Sequence, residues 1–357
     1  PSNRLRPTTS GTADRRTWLG LAVLTLPVFL VSMDVSVLYL AIPSITDALA
    51  PSAAQQLWIL DIYGFLIAGL LITMGNVGDR VGRRRILLAG AALFGIASVI
   101  AAFAPSPEIL IAARALMGIG GATLLPSSLS LIANMFPDAR ERGRAIGVWT
   151  AAFAGGSAVG PVIGGVLLHH FWWGVVFLIN VPVLAALFVF GPRLIPEYRA
   201  ATNDPFDVVG VVLSMAGILP LVYAVKTVAS EGATTGVVVA GVVGAALLVT
   251  FLLHQRRVTS PLLDLKLFGN AQFSGAVAVA LIGMMALGGM SYLTGVYLQS
   301  VMGHDVLAAA IAGLPMAVAV AVFSIGATRV AAFLGTRLAF VGSVGLAAAG
   351  NLGMLTL

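Results

Sequence analysis

The sequence predicts an all-α fold, a polytopic bundle of transmembrane helices, and three observations support this prediction. Hydrophobic residues make up 59% of the chain and charged residues only 10%, whereas about a quarter of the residues in soluble domains are charged. Apolar runs of about 20 residues, enough to cross a bilayer, recur along the chain. Nearly all Lys and Arg residues fall in alternate segments between these runs, which is typical of a membrane topology signal.

Eleven apolar runs are candidate membrane spans. They cover residues 18–43, 55–77, 86–104, 107–135, 145–168, 174–192, 207–227, 236–254, 271–299, 306–328 and 336–357. Basic residues precede the first run and fill the loops after the second, fourth, sixth, eighth and tenth, so the positive-inside rule places these segments and the N-terminus in the cytoplasm. We therefore expect a multi-pass protein of a bacterial cytoplasmic membrane.

A repeated segment indicates the domain organisation. The loop GNVGDRVGRRR at 75–85 follows the second run, and a weaker copy at 326–337 follows the tenth. Internal repeats are common in transporters, and this offset predicts a six-helix bundle, two additional helices and a second bundle. The predicted boundaries are a cytoplasmic tail at 1–17, the first bundle at 18–192, a cytoplasmic linker with two additional helices at 193–268, and three helices of the second bundle at 269–357. About three further helices, giving 14, are expected to complete it.

Composition also argues against several kinds of chemistry. The chain has no cysteine and four scattered histidines, so neither a thiolate metal site nor another metal site is expected. It has no phosphate-binding loop ending in Lys-Ser or Lys-Thr and no nucleophile elbow. The basic residues follow the topology, so nucleic acid is not an expected partner. We predict a protein that is not an enzyme, needs no cofactor and takes its energy from an ion gradient.

Three charged residues lie deep within predicted spans, away from the span ends. Asp34 is about 14 Å from the outer end of the first span, while Asp61 and Arg114 lie at about 9 Å in the second and fourth. A charge in hydrocarbon costs about 2.5–3.5 kcal/mol, so all three are expected to face the bundle interior and to mark a proton or substrate path. If they meet, two acids against one base leave a surplus carboxylate that exchanges protons. The alternative is that they form ordinary interhelical salt bridges.

Aromatic residues share a helix face with Asp61. Trp58, Gly64 and Phe65 stand at i−3, i+3 and i+4, a spacing that places them beside the carboxylate. An anion with two aromatic rings and room between them suits a lipophilic cation. The alternative is an interfacial aromatic belt, which fits Trp58 better than Phe65.

Two glycine-containing motifs stand apart from these charges. In the loop at 75–85 an acid lies among arginines at a helix boundary, and glycine allows a tight turn; topology alone would explain the arginines but fits the acid poorly. The fifth span combines small residues at four-residue spacing with a proline, which permits close helix contact and a bend; packing alone would also explain it. The loop residues are Gly75, Asp79, Arg80, Gly82 and Arg83, and the span residues are Gly156, Gly160, Pro161, Gly164 and Gly165.

These motifs resemble those of a known family. The loop at 75–85 resembles the GxLADxxGRR signature of the major facilitator superfamily, although Val77 and Gly78 replace the usual Leu and Ala. The residues at 156–165 resemble the GxxxGPxxGG antiporter motif, and Arg114 with the glycines after it resembles the RxxxGxGG motif of the fourth helix. Together with the residues around Asp34, they are similar to the fourteen-helix drug:proton antiporter-2 family.

The resemblance implies a proton-coupled multidrug efflux antiporter that works by alternating access. Its substrates would be lipophilic cations such as quaternary ammonium compounds, dyes such as ethidium and, for some members, fluoroquinolones. Asp34 and Asp61 would handle protons or cationic drug, Arg114 would assist proton transfer, and Asp79 would help to lock the cytoplasmic gate. The expected partners are these small molecules, protons and membrane lipid, and the chain is expected to be a monomer. Export of an endogenous lipid or metabolite, or a non-transporting scaffold or sensor, are the alternatives.

Overall fold

The computed structural model describes residues 13–199, 206–304, 306–335, 338–339, 341–343 and 345–346. These residues are almost entirely helical and include no strand, which confirms the all-α prediction. The α-helices are α1 (Arg15–Leu49), α2 (Ala53–Val81), α3 (Arg83–Ala102), α4 (Pro107–Met135), α5 (Ala139–His170), α6 (Val175–Leu178), α7 (Asn180–Leu194), α8 (Val208–Glu231), α9 (Thr235–Gln255), α10 (Ala271–Val296) and α11 (Val306–Leu334). A 3-10 helix covers Leu265–Gly269 and a π-helix covers Tyr297–Val301.

Eight helical segments in the described part of the chain are long and apolar enough to cross a membrane. They correspond to the first eight predicted spans, with α6 and α7 together forming the sixth. Helices α10 and α11 match the ninth and tenth runs, and their described residues include the shorter apolar segments Ala271–Ala286 and Ile311–Ser324. The eleventh run, 336–357, lies mostly outside the described residues, so the total of eleven spans stays a prediction.

The first helix begins earlier than predicted. Helix α1 starts at Arg15 rather than at residue 18, because Asp14 caps it. The carboxylate of Asp14 accepts hydrogen bonds from the hydroxyl of Thr17 at 2.7 Å and from its backbone N–H at 2.8 Å. Such a cap satisfies backbone donors that have no partner within the helix, and the hydrogen bonds from Thr17 lower the pKa of Asp14. The helix thus begins within the last residues of the predicted tail at 1–17, whose boundary stays a prediction and whose residues 1–12 lie outside the described part.

Glycines bring the helices of the first bundle into close contact. Helix α1 packs mainly on α5, and both α2 and α3 pack on α4. A Cβ atom added at Gly156 would overlap the carbonyl oxygen of Phe29, and one added at Gly160 would lie 3.1 Å from that of Met33. The close helix contact predicted for the fifth span is therefore present between α5 and α1. On α4, a Cβ added at Gly118 would lie 2.8 Å from the carbonyl oxygen of Tyr63 on α2.

Helices α8 and α9 form a pair that adjoins α2. Their backbones approach closely, since a Cβ added at Gly244 of α9 would lie 2.8 Å from the carbonyl oxygen of Gly217 of α8. At one end of the pair, Asp207 accepts hydrogen bonds from the Gly210 N–H at 2.8 Å and the Gln255 amide at 2.7 Å, and lies 2.8 Å from the His254 ring. Burial opposes ionisation of Asp207, but the bonds from His254, Gly210 and Gln255 lower its pKa overall.

The contact between α1 and α5 predicts that replacement by alanine has different effects on stability at two adjacent glycines. Gly156→Ala is expected to destabilise the protein by about 1–3 kcal/mol, because the new methyl group overlaps backbone that cannot move independently. Gly155→Ala is the matched control, since its Cβ would meet only one atom, the Cε2 of Phe29 at 4.0 Å. Thermal unfolding of the purified protein in detergent measures both, and equal melting temperatures for the two variants would contradict this packing.

Candidate functional site

A buried ion pair joins α1 to α4. The Asp34 carboxylate accepts a hydrogen bond from the guanidinium of Arg114, and the two side chains are 2% and 1% exposed. Helix α4 is positioned for this contact by its glycines, which allow it to lie close to α2 and α3. The predicted encounter between these two residues therefore occurs in the protein interior.

Two further helices complete the surroundings of Arg114. Its Nε donates a hydrogen bond of 3.3 Å to the carbonyl oxygen of Ile59 on α2. Its guanidinium carbon lies 4.5 Å from the ring centroid of Tyr63 and 6.0 Å from that of Phe177 on α6. The Tyr63 hydroxyl in turn donates to the carbonyl oxygen of Val31 on α1 at 3.2 Å. The buried charge of Arg114 is thus compensated by an anion, a carbonyl dipole and an aromatic face.

Asp61 does not join this network, so the three charged residues do not meet, although their similar depth in the sequence allowed it. Ile59 and Tyr63 are one turn apart on α2 and contact Arg114. Asp61 lies midway between them in sequence, which places it about 200° around the helix from each. Its side chain therefore points away from α4. The distance of Asp61 from the end of its span gave its position along the axis of α2, but it did not give the direction in which the side chain points.

The partner of Asp61 is Lys226 of α8, whose ammonium donates a hydrogen bond to the carboxylate. The two side chains are 21% and 50% exposed. In the sequence, Lys226 lies near the outer end of the seventh predicted span, 207–227, and this position alone indicates no role; in the structure it lies within α8, which extends to Glu231. Each of the two acids now has its own base, so the expected surplus carboxylate is absent from these four residues. A lysine near the end of an apolar run was the signal that sequence reasoning missed.

The aromatic residues predicted around Asp61 lie beside this ion pair. The Lys226 ammonium is 5.3 Å from the ring centroid of Phe65, which is buried. The rings of Trp58 and Phe65 meet edge to face at 6.2 Å. A Cβ added at Gly64 would have no neighbour within 4 Å, so the helix surface is open there. An anion and aromatic rings border this open surface, and the Lys226 ammonium contacts both the carboxylate of Asp61 and the ring of Phe65.

The loop motif forms the turn between α2 and α3. Gly82 has φ +118°, a conformation that favours glycine, as predicted for a tight turn. Asp79 pairs with Arg83, whose Nε and Nη2 lie 2.8 and 2.6 Å from the carboxylate. The guanidinium of Arg80 lies 5.3 Å from the ring centroid of Phe206, just before α8. Gly75 of the same motif faces α4, where a Cβ would lie 3.8 Å from Pro126.

Glu197 is a further member of this region that sequence reasoning missed. Its carboxylate accepts a hydrogen bond from the backbone N–H of Arg84 at 2.9 Å. It also lies against Gly82, where an added Cβ would be 2.8 Å from its Oε1. The Arg83 N–H donates to the carbonyl oxygen of Tyr198 at 2.8 Å. The segment after α7 thus holds the loop in place. The sequence did not indicate this contact, because a single acidic residue after the sixth span forms no recognisable motif.

The motifs occupy different levels of the bundle. Asp79 follows Asp61 by 18 residues of α2, a distance of about 27 Å along the helix. The loop and the Asp61–Lys226 pair therefore lie at opposite ends of α2. On α5, Gly160 faces α1 next to Asp34, Gly164 faces Val37, and Pro161 lies within the helix. The part of the chain that the structure describes holds no cluster of three or more potential metal ligands.

Known proteins resemble this chain in sequence and fold. The model of the Major Facilitator Superfamily matches residues 24–357. The multidrug efflux pump LfrA of Mycolicibacterium smegmatis is 46% identical over 87% of this chain and 62% of its own length. The methyl viologen resistance protein SmvA of Salmonella typhimurium is 36% identical over 93% of this chain and 68% of its own length. The chain thus spans about two thirds of these relatives.

A solved structure of the proton:xylose symporter XylE superposes with a TM-score of 0.59, covering 90% of this chain and 70% of XylE at 16% identity. At this identity the likeness concerns the fold alone, and it agrees with the helical bundle described above. The family is identified by the sequence matches: the family model covers residues 24–357, and LfrA is 46% identical. The chain belongs to the Major Facilitator Superfamily, whose members are transporters rather than enzymes.

Proposed function

We propose that the protein is a proton-coupled efflux antiporter for lipophilic cations in the bacterial cytoplasmic membrane, with its N-terminus in the cytoplasm. The observation that carries this proposal is the buried ion pair between Asp34 and Arg114. Ionisable residues within spans are costly and by default mark a transport path. The names of LfrA and SmvA, a multidrug efflux pump and a methyl viologen resistance protein, support cationic drugs as the substrate class. Methyl viologen is an organic dication.

The proton site in this proposal is Asp34. Protonation would break its ion pair with Arg114 and leave a buried guanidinium. Arg114 would still have the carbonyl oxygen of Ile59 and the ring of Tyr63, which lower the cost of that state. Because the pair joins α1 to α4, loading and releasing the proton changes a contact between helices. This is the coupling that a proton-driven conformational change requires.

The substrate site in this proposal is the surface around Asp61. Its carboxylate is ten times more exposed than that of Asp34, 21% against 2%. It lies beside Phe65 and Trp58, and the surface at Gly64 is open. A carboxylate next to aromatic faces binds organic cations through charge and cation–π attraction. The two acids then have different tasks, since one exchanges protons and the other binds the drug.

The glycine motifs are assigned to the conformational change. Alternating access requires helices that shift against one another around a site near the middle of the membrane. The contact of α5 with α1 through Gly156, Gly160 and Gly164 has backbone rather than long side chains at its centre. At the loop, the Asp79–Arg83 pair and the Gly82 turn fix the junction of α2 with α3. We assign this junction to the cytoplasmic gate.

Energised efflux of ethidium, a lipophilic monocation, tests the proposed function directly. Cells that produce the full-length protein are expected to extrude ethidium, and a protonophore is expected to abolish the extrusion because it collapses the proton gradient. Dye fluorescence over time measures both rates, with non-producing cells as the control. A folded, membrane-inserted protein that moves no ethidium under either condition would contradict drug export and favour a lipid or metabolite as substrate.

Two substitutions test the separate tasks of the acids. Asp34→Asn is expected to reduce protonophore-sensitive efflux more than tenfold, because an amide cannot bind and release a proton, while ethidium affinity of the purified protein changes less than threefold. Asp61→Asn is expected to weaken ethidium binding about tenfold, because the cation loses its attraction to the carboxylate and only the aromatic contacts remain. Fluorescence titration in detergent measures the affinities.

Asp47→Asn serves as the matched control for Asp34→Asn, since Asp47 lies on the same helix but is exposed near its end. Asp34→Asn leaves Arg114 without its anion, which costs about 3–5 kcal/mol for a buried pair. The melting temperature is therefore measured for each variant, and efflux is compared only among folded proteins. Equal losses of ethidium affinity in Asp34→Asn and Asp61→Asn would refute the division of tasks.

A further inference from the structure

The position of Lys226 suggests a role beyond that of an ion-pair partner. We propose that Lys226 is a tethered cation that occupies the Asp61–Phe65 site when no substrate is bound, and that a cationic substrate enters by displacing it. Lys226 would then set the affinity threshold for cations at this site. The inference rests on the proposed assignment of this surface to substrate, and it adds a specificity-determining residue from α8.

The ammonium of Lys226 already makes both contacts that a cationic ligand needs here. It donates a hydrogen bond to the carboxylate of Asp61. It also lies 5.3 Å from the ring centroid of Phe65, within the distance of about 6 Å at which a ring attracts a cation. Trp58 extends the aromatic surface through its edge-to-face contact with Phe65. A substrate cation and the ammonium cannot occupy this position together, so their binding is competitive.

Helix α8 is held against α2 by contacts that do not involve Lys226. The helices approach closely at Gly69, where an added Cβ would lie 3.4 Å from the Cδ2 of Leu219. Lys226 is seven residues beyond Leu219, about 10 Å, and Asp61 is eight residues before Gly69, about 12 Å. The antiparallel packing thus brings Lys226 level with Asp61. The contact between Gly69 and Leu219 lies about two helical turns from the ion pair.

A second contact fixes the far end of the same interface. The guanidinium of Arg80 on α2 lies 5.3 Å from the ring centroid of Phe206, which directly precedes α8. The amide of Asn76 donates a hydrogen bond of 3.1 Å to the carbonyl oxygen of Leu262, after α9. Neither of these two contacts involves Lys226. Displacement therefore requires a change of side-chain conformation rather than removal of a helix.

The exposure of the two basic residues shows which one can be displaced. The Lys226 side chain is 50% exposed, and its four-carbon chain is flexible, so the ammonium can move to another polar environment. The Arg114 side chain is 1% exposed and is held by Asp34, Ile59 and Tyr63. Only the Lys226 pair has the access and the freedom that exchange with a ligand requires.

Displacement has a quantitative consequence. The apparent dissociation constant equals the intrinsic one divided by the fraction of protein whose site is open. If Lys226 leaves the site open in about one tenth of the molecules, it weakens cation binding about tenfold. Removal of the ammonium should recover this factor. A ligand without charge gains little, because it does not compete for the carboxylate.

Lys226→Met in the full-length protein tests the proposal. Ethidium affinity, measured by fluorescence titration of the purified protein, is expected to increase about tenfold. Lys266→Met is the matched control, because Lys266 is the other lysine of the chain and lies exposed in the 3-10 helix; it should leave the affinity unchanged. In an Asp61→Asn background, Lys226→Met should change the affinity less than twofold. Unchanged or weaker binding by folded Lys226→Met would overturn the proposal.

A chemical restoration of the charge tests the same point within one folded protein. Residues 1–357 contain no cysteine, so Lys226→Cys adds the one thiol of this segment, and any cysteine elsewhere in the full-length protein is replaced by serine. The 2-aminoethyl methanethiosulfonate reagent attaches a chain that ends in an ammonium and should return the affinity toward the original value. The methyl reagent, which adds no charge, should leave it tight. Equal effects of the two reagents, or no ethidium binding by any form, would also overturn the proposal.

The outcome is separable from that of the export experiment, since the titrations use purified protein without a proton gradient. Tighter binding by Lys226→Met in a protein that exports no ethidium would refute export and support the tethered cation. Protonophore-sensitive export with no effect of Lys226 on affinity would support export and refute the tethered cation.

Discussion

The cost of placing an ionised group in hydrocarbon determines which helices pair in the described part of this chain. Asp34, Asp61, Arg114 and Lys226 all lie on membrane-spanning helices, and each is paired with an opposite charge on another helix. An unpaired charge at these positions would cost several kcal/mol, so the pairs constrain which helices can be neighbours. The first pair joins α1 to α4 across 80 residues, and the second joins α2 to α8 across 165. The charges thereby define long-range contacts that hydrophobic packing in lipid specifies only weakly.

The two pairs differ in their surroundings, and that difference gives them different capacities. The Asp34–Arg114 pair lies in a network of a carbonyl oxygen and aromatic rings, so a change of its charge alters contacts of α1, α2, α4 and α6. The Asp61–Lys226 pair lies at an accessible surface and has one flexible member. A buried pair suits a proton, which needs no space. An exposed pair suits exchange with a ligand, which does.

Sequence could predict the fold class and the candidate residues because both depend on local information. Apolar run length gave the helices, spacing gave the glycine contact of α5 with α1, and the cost of charge in lipid singled out Asp34, Asp61 and Arg114. The partner of Asp61 could not be predicted, because it depends on the rotation of α2 about its axis and on the placement of α8. The same holds for Glu197, whose contact with Gly82 joins segments that lie far apart in sequence. The depth of a residue in the membrane can be predicted from sequence. The side of the helix on which its partner lies cannot, because it depends on how neighbouring helices pack.

The placement of α8 also gives the additional helix pair, α8 and α9, a structural role next to α2. Without α8, Asp61 would lie on the face of α2 opposite Arg114 and would lose Lys226, its ion-pair partner. Helix α8 supplies that partner at one end, while its other end is fixed by Asp207 to α9 and through Phe206 to α2. The lysine is thus held at the site by a helix that does not depend on the ion pair for its position. A cation that displaces Lys226 competes with the ammonium for the carboxylate of Asp61 and the ring of Phe65, not with the packing of α8. For this reason an additional helix can regulate access to the carboxylate without having to move away from it.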